Sequence, residues 1–248
     1  MRPEVQQLLY ADETGELEGV FEVQVMDPVP VDRLPGVRSL IGGEDVVAWS
    51  HALLVLLGWG DEVGLVEAER IILGRIENPF DGVDTHRLHG VDLTFDNIAH
   101  ALALGLDLNG LSHDRVRALA ERLLQMSGSV FFQNGLESLV TALADPSLTD
   151  ETEGAISGLV EDGKNREASD LLPALAVLDA DRAVRMIERV LTAEGLSRIT
   201  ALGVARTYAR MPNASSKREL ELIEAREDLP GANSFARRTL EDWDNAQP

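Results

Sequence analysis

Glu44-Asp45-Val46-Val47-Ala48-Trp49-Ser50-His51-Ala52-Leu53-Leu54-Val55-Leu56-Leu57 places Val46, Val47, Trp49, Leu53, Leu54, Leu56 and Leu57 on nearly every side of a helix. A surface helix keeps its apolar residues to one stripe, so this pattern predicts a helix buried between neighbours. Gly58-Trp59-Gly60 breaks it, and Asp61 stands ready to cap a second helix that runs to about Ile76. Val63, Val66, Ile72 and Ile76 are its candidate buried positions. The reading is of two helices joined by a tight turn.

Downstream, the same pattern recurs. Residues 96–106 are rich in Ala and Leu, and Ser112 precedes a stripe of Val116, Leu119, Ala120, Leu123 and Leu124. Leu136, Leu139, Val140 and Leu143 mark another helix, and Ala155, Ile156, Leu159 and Val160 the next. Residues 167–178 contain Leu171, Leu172, Leu175 and Ala176, with Pro173 either kinking the helix or delaying its start. Ala183, Val184, Ile187, Val190 and Leu191 form the cleanest stripe, ended by Gly195. Ile199, Leu202, Ala205 and Ala209 follow, then a short charged helix over 216–226 and a terminal one over 234–243. The first helix of each pair begins near 44, 96, 132, 167 and 196. After the first, wider gap, the spacing falls to roughly that of two-helix repeats, in which stacked pairs build a core that no single pair can bury.

Upstream, residues 1–40 are the least helical. Residues 5–10 suit a short helix, and Asp12-Glu13-Thr14-Gly15 is a turn signal. Val20-Phe21-Glu22-Val23-Gln24-Val25 alternates and reads as a short strand, though no second strand is evident to pair with it. Pro28, Pro30 and Pro35 then impose an extended path. The expected organisation is an irregular N-terminal cap over 1–40 and a helical-repeat domain over 41–248.

Gly43 to Leu53 with Leu56-Leu57-Gly58, and again Leu196 to Ala205, resemble degenerate HEAT-type repeats. The resemblance extends loosely over residues 40–228. It implies an all-α fold of stacked antiparallel helix pairs, an α-solenoid used as a binding scaffold, and it carries no catalytic residues. An irregular helical bundle is the alternative architecture.

Composition narrows the function. Hydrophobic residues at 44% and charged residues at 26% are ordinary for a globular chain, which excludes general disorder. Aromatic residues at 4% leave Ala and Leu to fill the core, which favours close-packed helices over a β-sandwich. Without Cys there is no disulfide, thiolate metal site or cysteine nucleophile. The first twelve residues lack the apolar run of a signal peptide, and the run Ala52 to Leu57 is too short to span a bilayer, so a cytoplasmic protein is expected. The net charge of −21 disfavours nucleic acid and anionic membranes as partners and admits a basic protein. Residues 1–80 carry net −10, residues 81–164 net −9 and the Arg-rich remainder net −2.

Three groups of residues are candidates for chemistry or contact. Asp81, Asp84, His86, His89, Asp92, Asp96 and His100 concentrate ligand-type side chains, but Gly82 and Gly90 make the segment a loop and no His-Glu-x-x-His motif is present. A long loop of this kind points to partner contact, with Asp81, Asp84 and Asp92 as its acids, and no cofactor or metal is expected. Arg182, Arg185 and Arg189 follow i, i+3, i+7, and Arg206 and Arg210 follow i, i+4 on the next helix. In HEAT-like DNA glycosylases such rows grip phosphates, while a solvated face with local ion pairs is the simpler reading here. Trp59, flanked by glycines, is the candidate interface anchor. No Gly-x-Ser-x-Gly or phosphate-binding Gly-Lys loop supports a hydrolase.

The reading is therefore a non-enzymatic protein-binding scaffold. Charge and fold analogy suggest a bacterial immunity-type inhibitor that neutralises a basic toxin or effector. The alternatives are a HEAT-like nucleic-acid-binding protein or DNA-repair-type enzyme using the arginines, and a metal-dependent enzyme using the His/Asp loop.

Overall fold

The computed structural model describes residues 2–74, 76–80, 82–83 and 90–246. Among them the chain is all-α, with fourteen α-helices and no strand. It divides into two compact units, Met1–Met126 with Val130–Leu143 and Ser127–Ser129 with Ala144–Pro248.

In the first unit, α1 (Pro3–Tyr10), α2 (Val20–Gln24) and α3 (Leu34–Arg38) all pack against α4 (Val46–Gly58). α4 is the helix buried between neighbours that its sequence predicts, with Leu53, Leu54, Val55, Leu56 and Leu57 at most 2% exposed. Asp45 caps it by accepting the Ala48 N–H at 3.1 Å. Gly60, at φ +69°, turns the chain, and Asp61 accepts the Val63 N–H at 3.0 Å to start α5 (Glu62–Ile72). α5 stops earlier than its stripe suggests, at Leu73-Gly74, where Gly74 takes φ +66°. α6 (Thr94–Asn109), α7 (His113–Met126) and α8 (Gly135–Leu143) complete the unit. From α4 onward α4 packs on α5, α6 on α7 and α7 on α8, and alternate helices pack too: α4 on α6, α6 on α8, and α5 on α7.

Residues 20–25 overturn the strand reading. Val20–Gln24 is a helix, because a lone strand leaves its backbone groups without partners while a helix satisfies them locally. Its Val20, Val23 and Gln24 face inward, and Phe21 and Val25 face out. The turn at 12–15 forms as expected. The Asp12 carboxylate accepts the N–H groups of Thr14 at 2.8 Å and Glu16 at 2.9 Å, and Ala11 bridges Leu17 across it.

The second unit contains α9 (Thr149–Glu161), α10 (Asn165–Leu178), α11 (Ala180–Glu194), α12 (Ala201–Ala209), α13 (Ala214–Glu224) and α14 (Pro230–Asn245). Here too packing runs between near neighbours in the chain, with α10 touching α9, α11 and α12, α11 touching α9 and α10, and α12 touching α13 and α14. Pro173 lies inside a continuous α10 and does not delay its start. Lacking an N–H, it frees the carbonyl of Ser169, one turn earlier. The α12 residue opposite is Gly203, where an added Cβ would fall 2.2 Å from that carbonyl oxygen. The first unit repeats the device at Gly105 of α6, where a Cβ would fall 2.2 Å from the Leu57 carbonyl oxygen of α4.

Candidate functional site

The predicted arginine row is the best-defined feature of α11. Asp179 accepts the Arg182 N–H at 3.0 Å and so starts the helix. The Arg182 guanidinium donates to the carboxylates of Asp150 and, at 2.9 Å, of Glu153 on α9, and lies 3.5 Å from Asp179. One heptad on, Arg189 donates to Ser157 Oγ at 2.9 Å and to Glu161 at 2.7 Å. The steps from 150 to 157 and from 182 to 189 are equal, so two side-by-side helices present matching rungs. The hydrogen bond to Asp150, with its charge, holds the Arg182 guanidinium above its usual range. These two arginines therefore face carboxylates of their own unit.

Arg185 stands exposed between them. Arg206 is half-buried within α12, and Arg210 is exposed at its C-cap. α11 packs on α9 and α10, whereas α12 packs on α10, α13 and α14. The two arginine rows thus belong to helices with different neighbourhoods. Glu188 of α11, after burial and Glu219, helps push the Tyr208 phenol of α12 up to about 12, which shows that carboxylates intersperse the region.

Trp59 corrects the sequence reading. It is 4% exposed, and its indole N–H donates to the Val23 carbonyl at 2.8 Å. The flanking glycines let the chain turn sharply inward and do not lift the ring into solvent. Trp59 pins α2 to the end of α4, so it has no face to offer a partner.

Of the loop acids, Asp81 and Asp84 lie outside the described residues, as do His86 and His89. Asp92 is half-buried and accepts the Thr94 N–H at 2.9 Å where α6 begins. Asp96, 8% exposed, gathers three donors from the start of α8: the N–H groups of Gln133 at 2.9 Å, Asn134 at 3.2 Å and Gly135 at 2.7 Å. One carboxylate oxygen satisfies the otherwise orphaned amides of that helix terminus. Burial pushes the Asp96 carboxyl up, against these three donors and His100, which pull it down. Among the described residues no three His, Asp or Glu side chains form a group able to hold a metal ion.

Carboxylates of the first unit split into two populations. On the body, Arg115 of α7 binds Glu69 at 2.7 Å and also Glu62, both on α5. Arg70 binds Glu67 at 2.6 Å, and Arg38 pairs with the buried Asp61. Hydrogen bonds to Glu69 and then Glu62 raise the Arg115 pKa, and that to Asp61 raises Arg38. In the N-terminal segment the picture reverses. Glu13, Glu16, Glu18, Glu22, Asp27 and Asp32 are exposed, and none forms an ion pair among the described residues. The sequence already showed those acids; reading the segment as an irregular cap left open that its one nearby base, Arg33, is taken up by the backbone carbonyls of Ala11 and Asp12.

Among the described residues no single helix is long and apolar enough to cross a membrane. No family model matches the chain, and no curated protein or solved structure matches it.

Proposed function

We propose that the chain is a non-enzymatic protein-binding scaffold, built within each unit from HEAT-like stacked helix pairs, whose partner is a basic protein. The observation that carries this reading is the uneven pairing of charge. The first unit has 23 Asp and Glu against 9 Lys and Arg, net −14, and its N-terminal acids from Glu13 to Asp32 form no ion pair among the described residues. Such a surface attracts a basic partner over a Debye length of roughly 8–10 Å near physiological salt. The serial contacts of alternate helices support the repeat reading. An inhibitor that covers a basic toxin or effector, of the bacterial immunity type and held in the cytoplasm, is the concrete form this takes by analogy of fold and charge. The nucleic-acid alternative gains nothing from Arg182 and Arg189, whose guanidinium groups already meet carboxylates.

The test is association kinetics over a sodium chloride series, using the partner purified after affinity capture from native extract. Long-range attraction acts on encounter, so the on-rate falls as salt rises while the off-rate changes little. A salt-insensitive on-rate, or an acidic partner, overturns the proposal.

A further inference from the structure

Four of the large apolar side chains left in solvent fall within fifteen residues of the N-terminal segment. Leu17 is 54% exposed, Phe21 47%, Val25 48% and Val31 72%. Single exposed apolar residues are normal on any protein surface. Val63, Val66 and Leu73 are exposed as closely together on α5, so what sets the N-terminal group apart is its setting. Residues 12–32 contain seven Asp and Glu and no Lys or Arg.

The helix α2 explains how both features share one face. Its Val20, Val23 and Gln24 are buried against the body, where it packs on α4. At 100° per residue, Phe21, Glu22 and Val25 then lie together on the opposite side. Phe21 and Val25 are one turn apart, with a carboxylate beside them. The outward face is therefore apolar and acidic at once, and no other helix of the unit covers it: each of its three residues is exposed.

This face is also held in place. The Arg33 guanidinium donates to the carbonyls of Ala11 and, at 2.8 Å, of Asp12, closing the segment at its base. The Trp59 indole N–H fixes the Val23 carbonyl from below. Arg33 spends its donors on backbone carbonyls, so it pairs with none of the segment's carboxylates. A surface ordered before binding loses little entropy when a partner arrives.

Resting on the reading of this chain as a binder of basic proteins, we propose that the outer face of α2, formed by Phe21, Glu22 and Val25, docks a basic amphipathic helix of the partner. Charge complementarity selects that occupant. A neutral apolar helix would cover Phe21 and Val25 but strip water from Glu22 without replacing it. A purely cationic segment would meet the acids and leave the apolar side chains in water. A helix with Leu- or Ile-type residues on one face, flanked by Lys or Arg, satisfies both, through the recurring mode in which an amphipathic helix is read at i, i+3, i+4 anchors.

The experiment uses the full chain and two fluorescent 18-residue helix-forming peptides of equal positive charge. One has leucine on its apolar face and the other has serine there. The leucine peptide binds about tenfold or more tighter than the serine peptide, the equivalent of burying a few methylene groups. The double variant Phe21→Ser, Val25→Ser loses that advantage and keeps its affinity for the serine peptide. Hydrogen exchange slows at residues 20–25 in the complex with the leucine peptide. Both substituted positions are exposed, and circular dichroism confirms an unchanged fold. Equal affinity for the two peptides, or an unaltered leucine-peptide affinity in the double variant, overturns the proposal. If salt-sensitive binding of basic peptides persists in that case, the acidic-scaffold reading stands and only this surface is wrong. If neither peptide binds even at low salt, both fail. Sedimentation that shows a dimer abolished by the double variant would make a second copy of this chain the occupant and would also overturn it.

Discussion

The two units use the same packing device, and they differ in charge at one place, the N-terminal segment of the first. In each, an apolar helix crosses another at a glycine that approaches a backbone carbonyl: Gly105 on Leu57 in the first, Gly203 on Ser169 in the second. In the second unit basic side chains meet carboxylates across helices, as Arg182 and Arg189 of α11 do with α9 and Lys217 of α13 with Asp244 of α14, and the body of the first unit does the same with Arg115 of α7 and the acids of α5. Asp228, bound by Arg226 in the second unit, is drawn down to about 2. The N-terminal acids of the first unit have no such partners among the described residues. Charge totals are therefore a poor guide to where a field exists. What matters is which charges the fold leaves unanswered.

The largest expected effect tests the shared packing. Gly105→Ala and Gly203→Ala each place a methyl group where a backbone carbonyl already sits, and backbone cannot swing aside as a long side chain can. Each should destabilise by about 3 kcal/mol or more, read as a shift in urea midpoint. If one variant is nearly silent, the two crossings are not equivalent and the comparison loses its common term.

Next in size is one buried carboxylate of the first unit, Asp96. Asp96→Ala leaves the N–H groups of Gln133, Asn134 and Gly135 without their acceptor and should cost about 2 kcal/mol. Asp96→Asn keeps a carbonyl oxygen in place and should cost much less. The pH dependence separates charge from hydrogen bonding. Because burial raises the Asp96 carboxyl in the folded state, the native form holds its proton more tightly than the unfolded chain. Its contribution to stability is then greatest at low pH and declines as pH rises from the ordinary carboxylate value through the folded one. The stability of wild type relative to Asp96→Asn should therefore fall with rising pH across that window and level off above it. A difference that grows with pH would mean that the three donors outweigh burial.

Much of the fold was legible because helices announce themselves through local periodicity and caps. The apolar surround of residues 46–57, the Asp61 cap and the stripe at Ala183, Ile187 and Val190 all correspond to observed elements. Residues 20–25 were misread because a five-residue helix spans less than two turns, too short for a 3.6-residue period to be distinguished from alternation. Trp59 was misread because flanking glycines indicate a turn but not which way the turn points. Positive residues were easy to see, while their neutralisation was not. The acids that answer Arg182 lie 29 and 32 positions earlier in the chain, a relation that only packing creates.

The smallest expected effect concerns those rungs, and it is the sharpest test of the contrast. Arg182 and Arg189 are both partly exposed, so their ion pairs sit in a high dielectric and give up side-chain freedom to form. The double variant Arg182→Ala, Arg189→Ala should lower the melting temperature by only about 2 °C or less. The difference should shrink further at 1 M sodium chloride, where the Debye length is about 3 Å. Their main effect is to cancel field: removing them leaves Asp150, Glu153 and Glu161 unanswered, so the second unit comes to resemble the acidic segment of the first. Binding of a cationic serine-faced peptide should strengthen in the variant at low salt, while duplex DNA binding stays negligible in both proteins. Should wild type instead bind duplex DNA with micromolar affinity that falls steeply with salt, and the variant lose it, the arginines would be facing phosphates and the contrast between the units would collapse.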